Sequence, residues 1–410
     1  MLFKKRNKSK VKMNGGYYDY NLLAVVIILI CFGLVMLYSA SSYEAGTKMS
    51  NDLYYLQHQL VISVFAVGFA IAISKLDYHF FYKISPILYG ISILLMIMVK
   101  YTPLGVTAGG ARRWLGIGTS FSFQPSEIAK IAVILFITHQ IIRRGREFYT
   151  LKGSFFTFLY GFIAAFSAYF FTENLSTAII IMAICIFIIF IAHPRTKPFV
   201  IAFISIAIAV AIGVFILRNF QDSESFRLRR VLVWLNPEKY SDYGGYQVLQ
   251  GLYAIGSGGF FGKGLGNSTQ KLDTIPEAQN DMIFSIICEE LGLFGAILVL
   301  LLFAYLLYRL FCIAQNAPDL QGCLIASGIF VHITLQVVLN ICVVLNIIPT
   351  TGVTLPFVSY GGTSVLFLMI EIGLALGISS QINLKVKAPA PTKHSKISRR
   401  KVNIDKLRHS

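Results

Sequence analysis

The sequence predicts an all-α integral membrane protein of ten transmembrane helices, with one long extracytoplasmic loop between the seventh and the eighth. Three observations carry this. Apolar residues make up 56% of the 410 and charged residues only 13%, whereas soluble domains average about 25% charged. Apolar windows recur near the roughly 20 residues that a helix needs to cross a hydrocarbon core. A single long polar stretch, from Arg218 to Asp281, interrupts them.

The elements follow in order. Residues 1–20 hold six Lys/Arg and no apolar run, which reads as a disordered cytoplasmic arm. No cleavable signal is expected, because the first apolar run is too long for a signal core and no small-residue cleavage site clearly follows it. The ten windows fall near 21–40, 60–74, 84–99, 125–142, 155–171, 175–192, 199–217, 282–310, 322–345 and 364–378, so residues 21–382 are expected to form one transmembrane domain. Ten crossings leave both termini on one side. Placing that side inside puts the arm, the turns at 75–83, 143–152 and 193–197, Arg309 and the tail in the cytoplasm. Those segments hold most of the 36 basic residues, as the positive-inside rule requires. The tail, 383–410, is basic and Pro-containing, and reads as disordered chain lying against anionic lipid. The net charge of +17 is thereby assigned to the membrane surface rather than to nucleic acid. Six cysteines stand singly in or beside apolar runs without CxxC spacing, which argues against a metal site or disulfide framework.

The long loop, 218–281, is where water-requiring chemistry at a membrane surface is expected. It carries seven acidic residues against a similar number of basic ones, with nine glycines. In its first half, Arg227, Arg229 and Arg230 suit a polyanionic headgroup, since guanidinium forks grip phosphate oxygens; VLVWL beside them equally suits an amphipathic surface helix. Gln247 and Gln250 can bond a sugar or satisfy loop backbone. The run GSGGFFGKG lacks Walker A spacing, yet with Lys263 it can form an anion-binding concavity. Asp281 stands where the polar loop meets an apolar helix. An acid there can have a raised pKa and act as a general base, or simply cap the helix. Glu289 and Glu290 fall two turns deeper and need partners.

Two further constellations flank the loop. In GGARRWLGIGTSFSFQPSEIAK, Arg112, Arg113 and Trp114 lie between glycines, either presenting a guanidinium pair at the interface or anchoring it. Pro125 opens the fourth span, and Glu127 and Lys130 share one helix face, a spacing that favours a structural ion pair. Late in the chain, NIIPTTGVTLPFVSYGG breaks the helical pattern; such backbone near membrane depth is tolerated only against protein or a polar cavity, so it is expected to wall the site, with Ser359 as a contact. Glu371, in the tenth span, has no obvious partner.

Taken together, GGARRWLGIG…FSFQPSEIAK, WLNPEKY…GGYQVLQGLYAIGSGGFFGKGLGNSTQK, IPEAQNDMIFSIICEELG and PTTGVTLPFVSYGGTS resemble, in order and spacing, the SEDS proteins of bacterial cell-wall synthesis. The likeness runs from about residue 18 to 382 and is closest to the FtsW and SpoVE branch rather than RodA. It implies a multi-pass protein of the bacterial plasma membrane with its active site outside, polymerising lipid II into glycan strands for septal wall synthesis. It also implies an undecaprenyl-diphosphate-linked glycan as co-substrate, and as partners a class B penicillin-binding protein and other divisome membrane proteins. The family's essential acid matches Asp281, its outer-loop Trp matches Trp114, and its span-four pair matches Glu127 and Lys130. Two departures stand out: TENLSTA at 172–178 where the family has QPDLGTA, and Gln279–Asn280 before the acid.

The implied chemistry has Asp281 taking the proton from an acceptor hydroxyl while arginines, and a divalent cation of the magnesium or manganese kind, stabilise the leaving diphosphate. No motif supplies a site for such a cation. Two rival functions are a lipid II flippase, using Glu127, Lys130, Glu289 and Glu371 as a polar path, and a non-catalytic divisome scaffold. Neither inverted repeats nor paired broken helices of transporter type are visible.

Overall fold

A computed structural model describes residues 18–108, 110–117, 121–217, 226–241, 244–271 and 275–382. The expected tail, and the basic arm up to residue 17, lie outside the described residues. The elements run α1 (Tyr20–Met49), α2 (Tyr54–Ser74), α3 (Tyr78–Tyr101), β1 (Gly105–Ala108), β2 (Ala111–Ile117), β3 (Phe121–Phe123), α4 (Pro125–Arg144), a 3₁₀ turn (Gly145–Tyr149), α5 (Leu151–Phe171), α6 (Leu175–Ala192), α7 (Lys197–Leu217), α8 (Phe226–Leu235), α9 (Gly245–Ser257), α10 (Ile283–Asn316), α11 (Leu320–Val344) and α12 (Thr363–Ser380). Among the described residues, nine helices, α1–α6 and α10–α12, are long and apolar enough to cross a membrane. A helix, α7, occupies the seventh predicted position.

The expectation of purely helical structure needs one amendment. Between α3 and α4 the chain forms a three-stranded antiparallel meander, with Val106 opposite Trp114 and Leu115 opposite Phe123. The alternation Arg113–Trp114–Leu115 is a strand signal that the glycines around it mask. The long loop is also more regular than its composition suggests, since it contains α8 and α9. These two pack on each other through Leu232, Val233, Tyr240 and Val248, so the amphipathic face of α8 is covered by protein.

Packing explains the bundle. Helix α4 is buried nearly all round and packs against α3, α5, α6, α11 and α12. Small residues set the closest approach: a Cβ added at Gly373 of α12 would lie 2.7 Å from the Ala70 carbonyl oxygen of α2. With Ala66 and Ala70 on one helix and Gly373 and Gly377 on the other, this is small-xxx-small packing, which lets backbones meet where lipid offers no hydrophobic drive. Ion pairs tie the ends remote from β1–β3. Arg309 bonds Asp19 at 2.7 Å, and Asp19 also caps α1 through the Leu22 amide. His79 bridges Asp77 at 2.6 Å and Asp319 at 2.8 Å. A cavity of about 820 Å³ at that same end is lined by Tyr18, Lys75, Asp77 and Gln381 among others, away from the loop residues singled out above.

Candidate active site

Asp281 lies in the turn just before α10 and is half-buried. Helix α10 is preceded by Met282 in the capping position, and no side chain caps it. Asp281 is therefore not spent on the helix end. Among the described residues its carboxylate forms no ion pair, while its backbone carbonyl accepts from Asn340 Nδ2 at 2.8 Å. Burial pushes its pKa up from 3.8 to about 6. Its own backbone amide pulls the other way, the charge of Glu277 adds to the rise, and Arg230 opposes it. The result is a carboxylate poised near neutrality, as a general base requires.

The surrounding wall is held by main-chain contacts. Arg230, on α8, donates to the Thr350 carbonyl at 3.2 Å, and Trp234, one turn on, donates to that of Asn346 at 3.0 Å. Ser176, in the first turn of α6, donates to the Thr351 carbonyl at 2.8 Å. The irregular stretch after α11 is thus pinned from two sides. It is bonded back to the loop by the Tyr360 amide, which donates to Gln279 O at 2.9 Å. Gln279 in turn reaches Glu44 of α1 at 2.9 Å.

Two guanidiniums belong to this neighbourhood. Arg230 interacts electrostatically with Asp281, and Arg113, from β2, with both Arg230 and Glu173. Burial lowers the pKa of Arg113 and of Arg230; Arg230 deepens the drop in Arg113, and Asp281 opposes that in Arg230. Arginine stays protonated regardless. The physical content is two partly desolvated cations near a partly desolvated acid, an environment that favours a phosphate anion. Glu173 adopts a left-handed φ of 50°, and Asn174 beside it caps α6 through the Thr177 amide at 3.0 Å. The departed segment at 172–178 thus keeps a helix-capping residue and places an exposed carboxylate within reach of Arg113.

Several expected contacts are committed elsewhere. Lys263 pairs with Glu289 at 2.6 Å, so its charge neutralises a buried acid rather than a ligand. Ser359 is buried, its hydroxyl accepting from the Leu355 amide at 2.9 Å, and it shapes a turn. Arg112 donates to the carbonyls of Thr102 at 2.6 Å and Lys100 at 3.3 Å, fastening the sheet to the end of α3. Gln247 donates to the Pro276 carbonyl at 3.1 Å, the loop-backbone alternative. Trp114 is half-buried in β2. Arg229 is half-buried on α8; the side chain of Arg227, on the same helix, lies outside the described residues.

The glycine-rich run packs its backbone against α10. Helix α10 breaks at Gly292, where φ is 68° and ψ is −165°. The break frees backbone groups near membrane depth, where they need partners. The run provides them: the Lys263 and Gly264 amides donate to the Glu289 and Glu290 carbonyls, and the Leu293 and Phe294 amides donate to Gly259 and Phe260. A Cβ at Gly258, Gly262 or Gly292 would collide with this backbone. Beneath it, Glu290 bonds Lys271 at 2.9 Å and Ser39 of α1 at 2.7 Å.

The remaining intramembrane charges are paired too. Glu127 and Lys130 meet at 2.8 Å, both buried, and Glu371 bonds His332 at 2.8 Å. Sequence reasoning passed over His332 and Asn340, although polar residues inside an apolar span are themselves a signal. Among the described residues, no group of three or more His, Cys, Asp or Glu converges as metal ligands would.

Comparison with known proteins sets this geometry in context. Residues 19–384 match the family model of FtsW, RodA and SpoVE, described as cell cycle protein. Stage V sporulation protein E of Bacillus subtilis (strain 168) is 36% identical over 361 residues, covering 88% of this chain and 96% of that protein. A probable peptidoglycan glycosyltransferase FtsW of Trichlorobacter lovleyi is 34% identical over 379 residues, covering 92% and 97%. Among solved structures, a chain of a peptidoglycan synthase complex that coordinates polymerization and crosslinking superposes with a TM-score of 0.73 at 26% identity, covering 90% of this chain and 99% of that one. The rod shape determining protein RodA of Thermus thermophilus shares the fold, with a TM-score of 0.65 at 24% identity over 90% of this chain and 98% of its own.

Proposed function

The chain belongs to the FtsW, RodA and SpoVE family of cell cycle proteins, and from that premise we propose that it is a peptidoglycan glycosyltransferase polymerising lipid II with Asp281 as general base. The observation that carries this reading is the state of Asp281. It is half-buried, raised to about 6, neither capping nor ion-paired among the described residues, and close to Arg230.

In the reaction, the 4-hydroxyl of the acceptor's terminal GlcNAc attacks the anomeric carbon of the donor glycan. Asp281 takes the hydroxyl proton as the new C–O bond forms. The bond from that carbon to the diphosphate oxygen breaks, and undecaprenyl diphosphate leaves with the electron pair. Arg113 and Arg230 lie where they can stabilise its growing charge, with Arg229 and Arg227 on the same helix. General base catalysis contributes about 10²–10⁴ in rate. Among the described residues no group of three or more His, Cys, Asp or Glu near Asp281 would hold a divalent cation; one bound with the diphosphate would add to the charge stabilisation that the arginines supply.

The same reading places the protein in a bacterial plasma membrane with both termini cytoplasmic, α7 as the seventh of ten crossings and the site outside. Likeness to a chain of a synthase complex that coordinates polymerization with crosslinking supports a class B penicillin-binding protein as partner, alongside other divisome membrane proteins. Likeness to FtsW and SpoVE proteins supports a septal role. The flippase reading loses its main support, because Glu127, Glu289 and Glu371 are each locked to a basic partner.

Reconstitution of the purified chain with lipid II, no other polymerase present, is the test. Glycan strands are expected. Lipid scrambling without polymer would replace this function with transport, and neither activity would leave a scaffold.

A further inference from the structure

Behind Asp281 the bundle interior is polar in a way that the reaction does not explain. Asn340 is fully buried on α11, and its Nδ2 donates both to the Asp281 carbonyl and to that of Val353, each at 2.8 Å. One amide thus clasps the reactive turn to the wall of the site. Its Oδ1 is buried and, among the described residues, has no hydrogen-bond partner. The pattern repeats down the helix. Gln336, four residues deeper, has a buried Oε1, and His332, four deeper again, a buried Nε2, each without a partner among the described residues. Residues four apart share one face of a helix, so three successive turns each present one orphaned polar atom along a single line. At its far end His332 Nδ1 is bonded to Glu371.

Helix α4 supplies the opposite wall. It runs antiparallel to α11 and meets it where a Cβ at Gly328 would come 2.8 Å from Ile134 Cγ2. Counting outward from that contact brings Lys130 level with His332, and Glu127 and Ser126 level with Gln336. Glu127 Oε2 and Ser126 Oγ are also buried and without a partner among the described residues. Buried polar atoms in folded proteins are nearly always satisfied by protein or by ordered water, and this many orphans along one seam call for a common ligand. Most are acceptor oxygens, which need a hydrogen donor or a cation. The Lys130 ammonium in the same stretch disfavours a cation.

We propose that a file of bound water fills this seam, and that it makes Asn340 a positioning residue for Asp281. Water donating to Oδ1 fixes the amide in the orientation whose Nδ2 holds both carbonyls. Gln336 and His332 hold the next waters in turn. The positioning role rests on Asp281 being the general base; the hydration does not.

The test uses the full chain in lipid nanodiscs. A density map fine enough to show ordered water should place one within hydrogen-bond distance of Asn340 Oδ1 and another at Gln336 Oε1. Side chains repacked so that Oδ1 bonds protein would overturn the seam, and density at metal–oxygen distances would replace water with a cation. In the polymerisation assay, N340A should lose about 10²-fold in kcat, the scale of a small misplacement of a reacting group, with KM little changed. Q336M keeps the clasp and should lose less. Wild-type kcat in N340A removes the positioning role. If N340A does not fold, Q336M decides it: a lower kcat at unchanged KM supports the role, and wild-type kcat removes it. A wild-type protein that makes no glycan refutes the polymerase reading instead, while the map still decides the water.

Discussion

Asp281 lies between the polar loop and the first turn of α10, and its chemistry follows from that boundary. With its pKa raised to about 6 by burial, it is ionised at neutral pH and protonated in mild acid. The free-enzyme profile of kcat/KM should therefore fall on an acid limb near pH 6, read by polymer yield across a buffer series; a limb near 4 would mean an ordinary exposed acid. The sign for stability is opposite. A carboxyl whose folded pKa lies above its unfolded one binds its proton more tightly when folded. Acidification through pH 6 thus favours the fold at this site, and lost rate there is not denaturation. Arg230 opposes the rise, so Arg230→Gln should move the limb to higher pH and raise KM for lipid II, as measured in the same assay. Residue types were legible in the sequence here; partners were not. A lone acid after a polar loop was enough to single out Asp281, and the three-residue spacing of Glu127 and Lys130 already favoured the ion pair that forms. The partners of Lys263 and Gln247 lie on segments that only folding brings near, Glu289 and Pro276, whereas Ser359 and Arg112 bond backbone within a dozen residues, contacts for which residue type alone carries no signal.

Helix α10 shows the same limit one scale up. Its apolar run was readable, and so were the glycines 26 to 34 residues before its break at Gly292. Their purpose was not, because a glycine needed for close backbone approach and one needed to cradle an anion look alike in sequence. The structure separates them: Gly258 and Gly262 let the loop backbone meet the broken turn at Gly292. Gly292→Ala should destabilise severely, since its left-handed φ alone costs about 1–3 kcal/mol and a Cβ there also meets the Gly262 amide. Gly68→Ala, on α2 where an added Cβ meets nothing within 4 Å, is the control. Thermal melting in detergent should show a large drop for the first and none for the second; equal melting would mean the break is not needed. The small sheet was missed because turn-forming glycines dominate its composition, and α9 because a short helix in a polar loop carries little periodic signal; the apolar face of α8 was legible in VLVWL, but not its cover by protein.

At the scale of the whole molecule, the windows of the sequence reading fall on helices α1–α7 and α10–α12, because about 20 apolar residues leave a chain few other options in lipid. What no window could supply is the convergence of α8, β2, α11 and the stretch after it on one turn before α10. That convergence makes a membrane bundle into a candidate polymerase, and it rests on a single carboxylate. The most direct measurement is glycan synthesis from lipid II in proteoliposomes by Asp281→Asn, which keeps shape and removes the base. The account predicts protein that melts like wild type and a polymer rate lower by about 10²–10⁴. Strands made at a near-normal rate by that variant would contradict it.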